Sequence, residues 1–154
     1  MPLMPALLLA AMFNANYDCT LEMPKALRRE GDKTSLTSIR LGGVDEDGLR
    51  FTASVKQDKH GLEVEIVWPS NPIQIAGKFP ALPTANRSVA FAAAAGGPCM
   101  FTEAACMTLV SLVDAGDGTA KIIVMPSALA SDTAADKRDP FIVVMEGKCT
   151  KAAK

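Results

Sequence analysis

Residues 49–68, Leu49-Arg50-Phe51-Thr52-Ala53-Ser54-Val55-Lys56-Gln57-Asp58-Lys59-His60-Gly61-Leu62-Glu63-Val64-Glu65-Ile66-Val67-Trp68, decide the fold class. Leu49, Phe51, Ala53 and Val55 alternate with Arg50, Thr52, Ser54 and Lys56. Leu62, Val64, Ile66 and Trp68 alternate with Glu63, Glu65 and Val67. A period of two puts one set of side chains on each face of a strand, so both segments read as half-buried strands. The charged, Gly-ended connection at residues 57–61 joins them as an antiparallel hairpin, with Glu63 and Glu65 able to face Arg50 or Lys56.

A second hairpin pairs Met107–Val113 with Thr119–Met125 across Asp114-Ala115-Gly116-Asp117-Gly118, whose glycines supply positive φ. Both faces of these two segments are rich in aliphatic residues, which predicts strands that are central or covered on both sides. Leu36–Leu41 and the Ala-rich Ser88–Ala94 read as weaker strands. Pro24–Glu30 reads either as one helical turn, with Pro at its start and Gly31 after its end, or as a continuation of the first strand. A short turn or helix is expected at Thr102–Ala105. Pro69–Pro72, Pro80–Pro83 and Pro126–Pro140 are expected to interrupt regular structure. The sum is an all-β chain, an antiparallel sandwich or small barrel of about eight strands.

The two ends of the chain speak about compartment. Residues 1–16 carry no charge, and Leu3 to Phe13 form an apolar block too short to span a bilayer. This reads as a signal peptide over residues 1–15, followed by a single β domain over residues 16–154. Four cysteines, Cys19, Cys99, Cys106 and Cys149, include no Cys-x-x-Cys pair. In an oxidising compartment they make two disulfides, and spacing favours Cys19 with Cys149 and Cys99 with Cys106 among three pairings. Phase supports the first pair. Cys19 shares a face with Tyr17, Leu21 and Met23, and Cys149 with Phe141, Val143 and Met145. The Tyr17-x-Cys19 opening together with a closing Cys149 resembles the small β-barrel lysozyme inhibitors of bacterial envelopes. The resemblance covers these few residues and carries no site residue over.

Composition limits the chemistry. The chain of 154 residues has 16 Lys+Arg against 17 Asp+Glu, one His and one Trp. There is no cationic excess for nucleic acid, no segment for a transmembrane helix and no ligand set for a metal or cofactor. His60 is the single histidine and lies in a hairpin turn, which favours an exposed role over a catalytic one. The pairs Asp45/Asp47 and Asp114/Asp117 admit a reading as Ca²⁺ ligands or glycosidase carboxylates, but each stands beside glycines where Asp bonds nearby backbone N–H groups. The run from Asp45 departs from an EF-hand loop at Arg50 and Lys56. Cys99 and Cys106 as a redox pair would have Glu103 as the nearest charge, which opposes a thiolate. Asn86-Arg87-Ser88 matches a glycosylation sequon.

Residues 66–113 contain three charges only, Lys78, Arg87 and Glu103, together with Trp68, Phe79, Phe91 and Phe101. These four aromatics are the candidate lining of an apolar-ligand cavity or a partner surface, set against a plain role in the core. The expected function is an exported, non-enzymatic β domain that binds a protein or envelope component. The alternatives are a carrier of a small apolar ligand inside a barrel and a hydrolase using an acidic pair or His60.

Overall fold

The computed structural model describes residues 14–30, 32–38, 44–45, 47–70, 75–84, 87–98, 105–126 and 141–153. Ten strands follow in order: β1 (Asn14–Leu21), β2 (Lys25–Glu30), β3 (Lys33–Ser38), β4 (Arg50–Asp58), β5 (Gly61–Val67), β6 (Gly77–Thr84), β7 (Ser88–Pro98), β8 (Ala105–Asp114), β9 (Thr119–Pro126) and β10 (Phe141–Lys151). A single 3₁₀ turn, Asp47–Leu49, precedes β4. All pairings are antiparallel. The order β1-β4-β5-β6-β7-β8-β9-β10 closes through β1–β10 into an eight-stranded barrel.

The barrel is sealed by the pair expected from phase. Cys19 on β1 stands directly opposite Cys149 on β10 and is bonded to it, across 130 residues of chain. Of the second proposed pair, Cys99 and the side chain of Cys106 lie outside the described residues, as do residues 1–13, Phe101, Asn86 and the segment 127–140.

β10 belongs to two bodies. Its second half pairs with β9 and β1 in the barrel, while residues 141–144 pair with β2, which carries β3 on its far side. The chain runs from β1 through Glu22 to Pro24 into β2 along the same edge of β10, and the Glu22 N–H donates to the Glu146 carbonyl at 2.7 Å. Thus the β2–β3 hairpin leaves the barrel as an arm. Gly147 marks the departure point: a Cβ there would stand 2.7 Å from the Thr20 carbonyl oxygen and 2.8 Å from Ile122 and Leu21. Only glycine lets β1 and β9 approach β10 this closely.

Several expectations are corrected here. Of the two readings of residues 24–30, the helical turn is excluded and the strand holds, as β2 separate from β1, because β10 offers these residues a ladder that an isolated turn lacks. The weak strand expected at Leu36–Leu41 is β3 at Lys33–Ser38, and residues 39–43 lie outside the described set. Pro80 and Pro83 do not interrupt the sheet but sit within β6. β6 pairs with β5 over residues 77–81 and with β7 over residues 82–84, so each proline occupies a half-strand with one bonded neighbour, where a missing N–H is tolerated. The connection expected at residues 57–61 tightens to the two residues Lys59 and His60, with Gly61 at φ 128°. Lys56 pairs with Glu65 at 3.9 Å, and Glu63 with Lys78 at 3.7 Å. All four groups are substantially exposed, so these ion pairs add little stability.

The alternation of each strand fills the barrel with Tyr17, Phe51, Val64, Phe91, Leu112, Ile122 and Met145, among others. An eight-stranded barrel is about wide enough for its own side chains to fill.

Candidate functional site

Three of the four aromatics singled out from the sequence, Trp68, Phe79 and Phe91, meet in the barrel core. Trp68 and Phe91 are buried, Phe79 is half-buried, and Phe101 is outside the described residues. Trp68 stacks on Phe51 at 4.3 Å between ring centroids and donates its indole N–H to the Ile75 carbonyl at 2.7 Å. Phe79 stacks on Phe91 at 5.1 Å. The void between Phe51, Trp68, Phe91 and their neighbours measures about 10 Å³. That is at the lower limit for one water molecule.

The acidic pairs are held by their own turns. The Asp45 carboxylate accepts from the Gly48 N–H at 2.9 Å, and Asp47 pairs with Arg50 at 3.2 Å. Asp117 accepts from the Thr119 N–H at 2.9 Å and its hydroxyl at 2.6 Å, which holds its carboxyl below the usual value. His60 is exposed, and its N–H donates to Asp58 at 2.7 Å. Among the described residues no group of three or more His, Cys, Asp or Glu stands close enough to hold a metal ion.

Asp114 does more than shape its turn. One carboxylate oxygen accepts from the Gly116 N–H at 2.6 Å; the other lies 3.2 Å from the Tyr17 hydroxyl, which donates to it, and 3.6 Å from the Arg87 guanidinium. Arg87 has φ 61°, its carbonyl accepts from the Asp114 N–H, and its guanidinium packs where a Cβ on Gly116 would stand. This cluster ties β1, the approach to β7 and the β8–β9 turn together across one end of the barrel. Sequence reading missed it, since Tyr17 and Asp114 are 97 residues apart and meet only on closure. A buried phenol beside a carboxylate resists ionisation. Burial first, then the charge of Asp114 and the hydrogen bond to it, push the Tyr17 hydroxyl from 10.0 up to about 12, with Arg87 opposing.

The sign of that shift gives a pH dependence. The neutral phenol is favoured in the folded state, so its contribution is complete below pH 10 and is lost as pH rises through about 12. Two pKa units correspond to about 3 kcal/mol. Because Tyr17 is the only tyrosine, tyrosinate absorbance of the native protein should titrate near pH 12, and wild type should lose about 3 kcal/mol relative to Tyr17→Phe over this window. A native midpoint at 10 would contradict the cluster.

Two features stand on the outer wall. An open groove of about 580 Å³ crosses β10, β1, β4 and β5, its lining including Asp18, Arg50, Phe51, Val67, Trp68 and Thr150. On β8 and β9, Leu109 faces Met125, Ser111 faces Ile123 and Val113 faces Lys121. Leu109 is 50% exposed, Ile123 and Met125 38% and Val113 37%. Of the two expected placements, central or covered on both faces, the first holds: β8 and β9 are each bonded on both edges while their outward face is exposed. Their inward neighbours Val110, Leu112, Ile122 and Val124 are buried as expected.

No known protein family matches the chain, and no curated protein matches it. Among the described residues no helix is long and apolar enough to cross a membrane.

Proposed function

We propose that this chain is an exported, non-enzymatic β-barrel of the periplasm or extracellular space that binds another protein or an envelope component through the outer wall of β8 and β9. The observation that carries the reading is the stripe of Leu109, Val113, Ile123 and Met125, four large apolar side chains exposed on adjacent strands. Apolar surface of this kind costs free energy in water and is recovered when a partner covers it. Export is supported by the Cys19–Cys149 bond, since such bonds persist in oxidising compartments, and by the uncharged apolar start of the sequence. The small size of the void beside Phe51, Trp68 and Phe91 weighs against the carrier reading, and the engagement of Asp45, Asp47 and Asp117 in their turns weighs against the hydrolase reading.

The test is retention of envelope components by immobilised protein, comparing wild type with the double variant Leu109→Asp/Ile123→Asp. The expected outcome is a retained partner whose affinity falls about tenfold or more in the variant at unchanged thermal stability. Equal retention would remove the wall from the proposal, and no retention by wild type would remove the binding function itself.

A further inference from the structure

The arm presents a different surface. Among the described residues β3 is the last strand of its sheet, bonded to β2 on one side, and all six of its residues are exposed. Its register with β2 runs through six successive pairs with no irregularity, so it offers a straight edge of backbone N–H and C=O groups. Exposed edges are commonly guarded by proline, a bulge or charge. β3 has neither proline nor bulge, and Lys33 at its start is its only charge.

Its sequence is also close to palindromic. Thr34-Ser35-Leu36-Thr37-Ser38 reads hydroxyl, hydroxyl, leucine, hydroxyl, hydroxyl in either direction. Leu36 faces Leu27 across the β2–β3 ladder, and the two are 64% and 40% exposed. We propose that β3 pairs antiparallel with β3 of a second copy of this chain, about a two-fold axis at Leu36.

In this register Leu36 meets Leu36, Ser35 meets Thr37 and Thr34 meets Ser38. Residues directly opposite in an antiparallel pair share a face. The result is an unbroken stripe of Leu27, Leu36 and their two copies across four strands. Moving the register by one residue would send the two Leu36 side chains to opposite faces and break it. The charges agree with the same register. Lys33 falls beyond the last of these pairs, and the two lysines stand about 20 Å apart along the strands, six residues at the rise of an extended chain. The interface is self-complementary, as two-fold pairing requires. It uses neither Leu109 nor Ile123, so it stands independently of the partner-binding wall.

Sedimentation of the wild-type protein from about 1 μM to about 1 mM tests it. Wild type should pass from monomer to dimer, and Leu36→Lys and Leu36→Glu should each move the midpoint about tenfold or more higher, because like charges are then forced together at the axis. An equimolar mixture of the two variants should restore the dimer, which also shows that both are folded. Leu109→Asp/Ile123→Asp should dimerise as wild type does. A monomeric wild type, a dimer untouched by either Leu36 variant, a mixture that stays monomeric, or loss of the dimer in the outer-wall variant would each overturn the proposal.

Discussion

The double variant Cys19→Ala/Cys149→Ala should be less stable than wild type by about 5 kcal/mol. The bond spans 130 residues, and closing a loop of that length in the unfolded chain costs about 5 kcal/mol of entropy on the chain-entropy account. The loss should be large because stabilities of whole domains are about 5–15 kcal/mol. The bond also fastens the β1–β10 seam, which turns a curled sheet into a barrel. Guanidinium unfolding, followed by far-ultraviolet circular dichroism, measures the change. A midpoint equal to that of wild type would mean that the seam holds without the bond. Replacing both cysteines rather than one leaves no orphaned half of this bond to pair wrongly with Cys99 or Cys106.

Trp68→Ala should cost about 3–5 kcal/mol, the range for truncating a large aromatic in a core. Three losses combine at this position. The ring leaves its stack on Phe51, the Ile75 carbonyl loses its donor, and the small void beside Phe51 and Phe91 opens into a cavity. The same variant bears on function. If the wild-type interior is filled by its own side chains, a small apolar probe should bind Trp68→Ala and not wild type. Uptake of that probe by wild type would revive the carrier reading. Binding and stability are thus read on one pair of proteins.

Much of the barrel was legible in the sequence because its strands alternate cleanly. The hairpins β4–β5 and β8–β9 follow from period two and Gly-containing turns, and the inward phase of Cys19 and Cys149 anticipated their pairing. What escaped depends on neighbours far along the chain. Pro80 and Pro83 argue against a strand only if both sides of that strand are bonded at each position, and β6 changes partner between them. Residues 25–30 became a strand because β10 lies beside them. The aliphatic residues of β8 and β9 pointed to strands either central or doubly covered; they are central, and local pattern cannot tell a covered face from one awaiting a partner. Of the candidate site, the aromatics were found by type and the outer wall was not. The meeting of Tyr17 with Asp114 had no local signal at all. An isolated glycine within a strand pattern is the one local signal of the close approach at Gly147.

The place of β10 dictates when this protein can become itself. It emerges after every other described strand, yet β1, β2 and β9 all pair with it. Until it arrives, the earliest strands wait with open edges, and contacts of such long sequence separation form slowly. A chain cut short before residue 141 lacks the strand that closes the barrel, so truncation there leaves the β1 and β9 edges unjoined.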